Sequence, residues 1–218
     1  MKTGKIRFTA LLLSFIMLFS LAAKSSQAES QTKSQPDTTS QKQDETEKQE
    51  EPEQTQNDTA QSKSLVVYFS ATGTTKGVAE KIASLTGADT YEIKAAKEYT
   101  SADLDWNDSN SRSTTEQNDS SARPEIGSEK ISLDGYDTIY IGYPIWWGEE
   151  PRIMDTFVES CNFDGKTMIP FCTSGGSGIG RSGKNLESMS KSGTWLEGKR
   201  FGGSVSESEI QNWIDGLK

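Results

Sequence analysis

The sequence predicts an α/β domain in which a parallel β-sheet is covered by helices on both faces. Three observations favour this fold class. Strand-like segments such as Leu65–Phe69 are short and continuously apolar, which is typical of strands buried on both faces. Segments with helical apolar spacing alternate with these strands, as they do in successive βαβ units. Loops rich in glycine and hydroxyl side chains follow three of the strands, where such sheets bind ligands.

The first βα unit begins at Leu65. The strand Leu65–Phe69 is followed by the loop Ser70–Thr75 and then by apolar residues at helical spacing, namely Val78, Ala79, Ile82 and Leu85. Residues Thr90–Ile93 are expected to form a second, shorter strand.

The second half of the domain repeats the alternation. A capping box at Ser206–Glu209 marks the start of the last helix. Within Thr167–Cys172, Pro170 cannot donate a ladder hydrogen bond, which weakens the prediction of a strand. The predicted elements are a strand at Thr138–Tyr143, a helix from Pro151 to Val158, a strand at Thr167–Cys172, a helix at Lys184–Met189, a strand at Arg200–Phe201 and a final helix through Leu217.

The N-terminal part has two segments of very different composition. Residues 1–28 combine Lys2, Lys5 and Arg7 with a 16-residue apolar run and a small-residue cleavage point, which predicts a secretory signal. The run is shorter than the roughly 20 residues that a spanning helix needs, so we expect no membrane insertion after cleavage. An uncleaved anchor is the alternative. Residues 29–63 lack large apolar side chains and predict a solvated linker before a folded domain at 64–218.

Composition excludes several classes of function. The chain contains no histidine, which excludes Ser-His-Asp hydrolysis and most catalytic zinc sites. Neither a catalytic side chain nor a metal site is predicted, so the composition favours chemistry carried by a bound organic cofactor. The net charge is −9, of which residues 64–218 carry −8, so nucleic acid is not an expected partner. Cys161 ends a predicted helix at the amino side of the sheet and Cys172 ends the next strand at the opposite edge, too far apart for a disulfide, so both are expected to be free thiols.

Three loops are expected to meet at the carboxyl edge of the sheet. Ser70–Thr75 offers hydroxyls and free amide groups at a helix N-terminus, which suits a phosphate, although a plain Ser/Thr-rich turn is the alternative. Pro144–Gly148 contains two tryptophans that could stack on a flat ring or could belong to the core. Thr173–Gly178 has three glycines, whose amides can approach a ligand closely or simply form a flexible turn.

Together these loops resemble the flavodoxin family. Ser70–Thr75 is similar to the FMN-phosphate loop of flavodoxins, and the other two loops resemble an exported bacterial subfamily. The resemblance implies a flavodoxin-like three-layer sandwich with a five-stranded parallel sheet in the order 2-1-3-4-5. It also implies that FMN is bound by Ser70, Thr72, Gly73, Thr74, Thr75, Pro144, Ile145, Trp146, Trp147, Gly148, Thr173, Ser174, Gly175, Gly176, Ser177 and Gly178. The stretch 91–128 resembles the subfamily's long polar loop, including Tyr99, Arg112, Glu116, Arg123 and Pro124, and is expected to form a lid or partner surface.

The expected function is electron transfer by FMN outside the cytoplasmic membrane, in the cell envelope or beyond it. An acidic face could steer a redox partner protein with a basic surface. Glu149 and Glu150 are expected to disfavour the negatively charged reduced flavin and thereby to lower its potential. Two alternatives remain open, namely an FMN-dependent NAD(P)H:quinone or azo reductase and a non-redox binding module at the cell surface.

Overall fold

The computed structural model describes residues 63–217. The predicted signal at 1–28 and the linker up to residue 62 lie outside the described residues. Lys63 is already the first residue of a strand, so regular structure begins one residue before the predicted domain boundary. None of the helices in the described part is long and apolar enough to cross a membrane.

Six strands and five helices alternate along the described chain. The strands are β1 (Lys63–Phe69), β2 (Asp89–Ile93), β3 (Tyr136–Pro144), β4 (Thr167–Thr173), β5 (Thr194–Trp195) and β6 (Lys199–Phe201). The helices are α1 (Thr74–Thr86), α2 (Arg112–Asn118), α3 (Arg152–Ser160), α4 (Ser182–Ser190) and α5 (Glu207–Asp215). The predicted capping box is confirmed, because the Ser206 side chain accepts a hydrogen bond from the Glu209 amide.

The sheet is parallel throughout, with the predicted order 2-1-3-4-5. Its fifth position is divided between two short strands, since β5 pairs with Thr167 and Met168 whereas β6 pairs with Phe171–Thr173. The interruption lies beside Pro170, which has no amide hydrogen to offer there. Pro170 is therefore tolerated within β4 because the neighbouring strand is broken at that point.

Each face of the sheet has its own core. Successive side chains of a strand point to opposite faces, and β1 contributes Leu65, Val67 and Phe69 to one cluster but Val66 and Tyr68 to the other. Helices α3 and α4 cover the first face, and α1 and α5 cover the second. This is the three-layer arrangement that the sequence predicts. All of the strands that lead to the candidate site are parallel, so their carboxyl ends share one edge.

The chain between β2 and β3, residues 94–135, makes a long excursion over that edge. An antiparallel bridge between Ala95 and Ile126 closes its base. The excursion contains α2, which the sequence analysis treated as loop. Cys161 and Cys172 are both free thiols, as predicted. Burial raises the pKa of the Cys172 thiol to about 12, so this thiol is unreactive at neutral pH.

Candidate functional site

The first loop leads directly into α1. Gly73 precedes the helix with φ 86°, a left-handed conformation in which a side chain would be strained. The first intrahelical bond runs from the Gly77 amide to the Gly73 carbonyl, so the amides of residues 74–76 have no partner within the helix. No side chain caps this terminus, and its first turn contains no acidic residue. The helix start is therefore available to an anionic group.

Ser70 provides a second sign that a polar ligand belongs here. Its hydroxyl oxygen is buried and has no hydrogen-bond partner among the described residues. A buried hydroxyl without a partner is unfavourable, and in native proteins it commonly marks a ligand or water position. Thr72 and Thr74 follow Ser70 in the same loop, and their hydroxyl oxygens lie 3.4 Å apart. A phosphate fits this set of neutral donors.

The second loop is a tight turn that displays a tryptophan. The Trp146 and Glu149 backbones exchange two hydrogen bonds of 2.9 and 3.0 Å, so that Trp147 and Gly148 form the turn itself. Both have positive φ, 49° for Trp147 and 86° for Gly148. A left-handed conformation is uncommon for a bulky residue and costs roughly 1 kcal/mol or more. Because the Trp147 side chain is nevertheless 46% exposed, packing in the core does not explain this conformation.

Trp146 differs from its neighbour. Its ring makes edge-on contacts with Phe69 at 5.7 Å and with Tyr99 at 5.2 Å between centroids. The alternative that both tryptophans are core residues is thus partly right, since Trp146 is packed against the core while Trp147 is exposed. Trp146 anchors the loop and leaves Trp147 free to contact a ligand.

The third loop is joined to the other two through Thr173. The Thr173 and Thr75 hydroxyl oxygens lie 2.8 Å apart in a buried hydrogen bond. The Thr173 carbonyl accepts a hydrogen bond from the Ile145 amide at 3.0 Å. Beyond Thr173 the loop is held by Arg200, which donates to the Ser174 carbonyl at 2.7 Å. The three predicted loops therefore meet at one residue.

An apolar cavity of about 420 Å³ lies between the first two loops. This volume is within the range of roughly 300–1,000 Å³ that is usual for small-molecule sites. Six predicted site residues line it, namely Thr72, Thr75, Pro144, Ile145, Trp146 and Trp147. Four further lining residues are Ala71, Leu104, Trp106 and Ser113.

The remaining predicted site residues do not form the wall of this cavity. Ser70 instead lines a second cavity of about 370 Å³, together with Lys76 and Lys94, and Ala71 borders both cavities. Of the described residues, those predicted but absent from the lining of the first cavity are Ser70, Gly73, Thr74, Gly148, Thr173, Ser174, Gly175, Gly176, Ser177 and Gly178. For these residues, contact with a ligand stays a prediction.

Three of the four additional lining residues come from the 94–135 excursion. Sequence reasoning missed Leu104, Trp106 and Ser113 because their segment has no helical or strand periodicity. A single tryptophan in a polar stretch, Asp105-Trp106-Asn107, was the one available signal. Whether this segment acts as a lid or as a partner surface stays a prediction.

The residues singled out in the long polar loop have anchoring roles. Tyr99 donates to the Glu116 carboxylate at 2.6 Å, and Arg112 bonds the same carboxylate at 2.6 Å while its guanidinium lies over the Tyr99 ring. Burial and the Glu116 hydrogen bond raise the pKa of the Tyr99 hydroxyl, so it remains a donor. Arg123 pairs with Glu159, and the Pro124 carbonyl accepts from Thr156. The contacts of Tyr99 and Arg112 are internal to the excursion, whereas those of Arg123 and Pro124 fasten it to α3.

The two glutamates behind the second loop have different environments. Glu149 is paired with Arg152 at 3.0 Å, so its charge is partly offset. Glu150 is fully buried, and one of its carboxylate oxygens has no hydrogen-bond partner among residues 63–217. Burial raises the pKa of Glu150 to about 7. The expectation that these two glutamates lower the potential of a bound flavin stays a prediction.

Comparison with known proteins gives a consistent picture. The flavodoxin family model matches residues 63–217. A candidate flavoprotein of Bacteroides eggerthii is 49% identical, with a TM-score of 0.67, and covers 72% of this chain and 98% of its own. One from Bacteroides uniformis is 48% identical, with a TM-score of 0.68 and coverages of 71% and 98%.

A more distant structure shares the fold. The flavoprotein of Lactobacillus acidophilus, solved in complex with FMN, is 24% identical with a TM-score of 0.53 and covers 70% of this chain and 99% of its own. Among curated proteins, no match to this chain was found. The family model spans all of the described residues, and the two Bacteroides proteins are 48–49% identical to the chain. The chain therefore belongs to the flavodoxin family.

Proposed function

We propose that this protein binds FMN and carries electrons outside the cytoplasmic membrane. The observation that carries the proposal is the cavity that Trp147 shares with Thr72 and Thr75. It brings an exposed aromatic face next to an uncapped helix N-terminus, and one phosphorylated, flat ligand suits both features. Family membership and two candidate flavoproteins at 48–49% identity support a flavin. The FMN complex of the L. acidophilus protein is an example of FMN bound by this fold.

Different residues of the chain would bind the phosphate and the ring of the cofactor. The free amides at the start of α1 and the Thr72 hydroxyl suit the phosphate, because neutral donors can bind it, and the Ser70 hydroxyl in the adjoining cavity is expected to contribute. Trp147 suits a face of the ring, because offset stacking of aromatic rings is favourable. Bound FMN supplies electron-transfer chemistry that no side chain of the protein can provide.

The decisive experiment compares FMN with riboflavin. The purified full chain should show the absorption bands of oxidised flavin, or should acquire them when FMN is added. Because the first loop is built for a phosphate, FMN should bind at least tenfold more tightly than riboflavin, as measured by quenching of flavin fluorescence. A protein that binds neither flavin, in the presence of native-like circular dichroism, would refute the proposal.

A second experiment separates an electron carrier from a reductase. A carrier receives electrons from a partner protein, so NADH alone should leave the flavin bands unchanged on the timescale of minutes. Addition of a catalytic amount of a flavodoxin reductase with NADPH should bleach them. Rapid bleaching by NADH alone would favour the quinone or azo reductase instead.

The cellular location and the partner form the remaining part of the proposal. The apolar run after Lys2, Lys5 and Arg7 supports export, and the mass of the mature protein would report cleavage near Ala28. The net charge of −8 on residues 64–218 supports a partner with a basic face. The rate of electron transfer to such a partner should then fall as ionic strength rises. A rate independent of salt would exclude electrostatic steering.

A further inference from the structure

The segment from Leu104 to Ser113 supplies three residues to the lining of the cavity, in addition to those of the first two predicted loops. These residues are Leu104, Trp106 and Ser113, and they are the part of the excursion that lines the cavity. The segment is held in place by backbone bonds, from Leu104 to the Thr100 carbonyl at 3.1 Å and from Ser113 to the Asp103 carbonyl at 2.9 Å. It is therefore a shaped part of the site rather than a loose loop.

The side chain of Ser113 is a buried hydroxyl group at the cavity. The residue is 1% exposed, and its hydroxyl oxygen has no hydrogen-bond partner among the described residues. Gln117 lies one helical turn further along α2, on the same side of the helix, and donates to the Trp146 and Glu150 carbonyls at 3.2 and 3.1 Å. This face of α2 is thus fixed against the second loop, and the Ser113 hydroxyl remains free at the cavity wall.

Trp106 is the most exposed large apolar side chain in the described part of the chain. It is 75% exposed although it borders an apolar cavity. The third loop, Thr173–Gly178, contains no aromatic residue. Besides Trp146 and Trp147, Trp106 is therefore the aromatic side chain that the lining of the cavity offers to a flat ligand.

We propose that Trp106 and Ser113 form the outer wall of the flavin site. Trp106 covers a face of the isoalloxazine ring, and the Ser113 hydroxyl hydrogen-bonds a polar atom at the ring edge. This inference rests on the proposed function, because it assumes that the cavity receives a flavin. It assigns ring recognition to the excursion between β2 and β3, in addition to the loop after β3.

Ser113→Ala tests the hydrogen bond. The variant removes an unpartnered buried hydroxyl, so the thermal midpoint of the flavin-free protein should stay the same or rise. The dissociation constants of FMN and riboflavin should both increase, by about five- to tenfold, because the contact is made to the ring that they share. Ser109→Ala, at an exposed position of the same excursion, is the matched control and should leave both constants unchanged.

Trp106→Ala tests the stacking. Both flavins should bind about tenfold more weakly and keep more of their fluorescence when bound, whereas Trp106→Phe should retain most of the affinity. Wild-type affinity in Ser113→Ala and Trp106→Ala, or a loss confined to FMN, would overturn the proposed wall. Absence of flavin binding by the wild-type protein would instead refute the proposed function, so the two failures are distinguishable.

Discussion

The buried carboxyl group of Glu150 should make the stability of this protein depend on pH. Glu150 is 0% exposed, one oxygen accepts from Asn185 at 3.3 Å, and the other has no partner among residues 63–217. Its neighbours Asp155 and Glu149 are acidic and raise its pKa further, beyond the effect of burial. Replacement of Glu150 by glutamine keeps the size and one acceptor of the side chain but removes the titration.

The sign and size of the effect follow from linkage. The pKa of Glu150 is about 7 in the folded protein against an ordinary value of 4.5, so the folded state binds more protons than the unfolded state between these values. The contribution of Glu150 to stability is therefore fully present below pH 4.5 and is lost as pH rises towards 7. Between pH 5 and pH 8 the loss from this group is about 2.5 kcal/mol. Burial also raises the pKa of Asp155 to about 6, opposed by Arg152 and Arg123, which adds roughly 1 kcal/mol of loss.

Urea unfolding at pH 5 and pH 8, at the same flavin content, measures the prediction. The free energy of unfolding of the wild-type protein should fall by about 3–4 kcal/mol between these pH values, but that of Glu150→Gln by only about 1 kcal/mol. Glu149→Gln, which changes the neighbouring, half-exposed glutamate, is the control and should keep most of the dependence. Equal pH dependence in the wild-type protein and Glu150→Gln would show that Glu150 is not buried as described.

Three further changes test the site and its support. Trp147→Asn places a residue suited to positive φ before Gly148, so the free energy of unfolding of the flavin-free protein in urea should rise by up to about 1 kcal/mol. Because the exposed ring is lost, FMN should bind about tenfold more weakly in fluorescence titration. Thr75→Val leaves the Thr173 hydroxyl without its 2.8 Å partner and should cost about 1–3 kcal/mol of unfolding free energy, with the double valine variant losing less than the sum of the two single changes. Gly142→Ala would bring a methyl group within 2.1 Å of the Phe171 ring, and thermal unfolding should show a loss of about 3 kcal/mol.

Much of the fold could be predicted because its strands carry a strong local signal. Leu65–Phe69 is apolar at every position, and only a strand covered on both faces buries such a segment. The split fifth strand could not be predicted, because β5 has two residues and β6 three. Helix α2 was missed for a related reason. Its seven residues, Arg112–Asn118, include no apolar side chain, so it is stabilised by the Ser111 cap and the Arg112–Glu116 pair rather than by an amphipathic face.

The candidate site likewise has a part that the sequence predicts and a part that it does not. Thr72, Thr75 and Trp147 directly follow strands, and parallel strands bring the residues at their carboxyl ends together, so sequence order was sufficient to group them. Trp106 and Ser113 reach the cavity through a 42-residue excursion whose path is set by long-range contacts, such as those of Gln117 with the Trp146 and Glu150 carbonyls. No local pattern encodes these contacts. The part of the site that positions a phosphate was therefore predictable, whereas the segment proposed to cover the ring was not.

The same contacts bear on how the protein can tune a redox cofactor. Arg152, itself 8% exposed, is shared between Glu149 and Asp155, so these groups present less net negative charge than the sequence suggests. Glu150 lies two residues beyond Gly148 and has no ion-pair partner among the described residues, and burial raises its pKa to about 7, so its charge changes near neutral pH. An added negative charge disfavours reduction to an anionic state. If FMN binds as proposed, we expect its potential to respond to the pH-dependent charge of Glu150 rather than to a fixed charge on two glutamates.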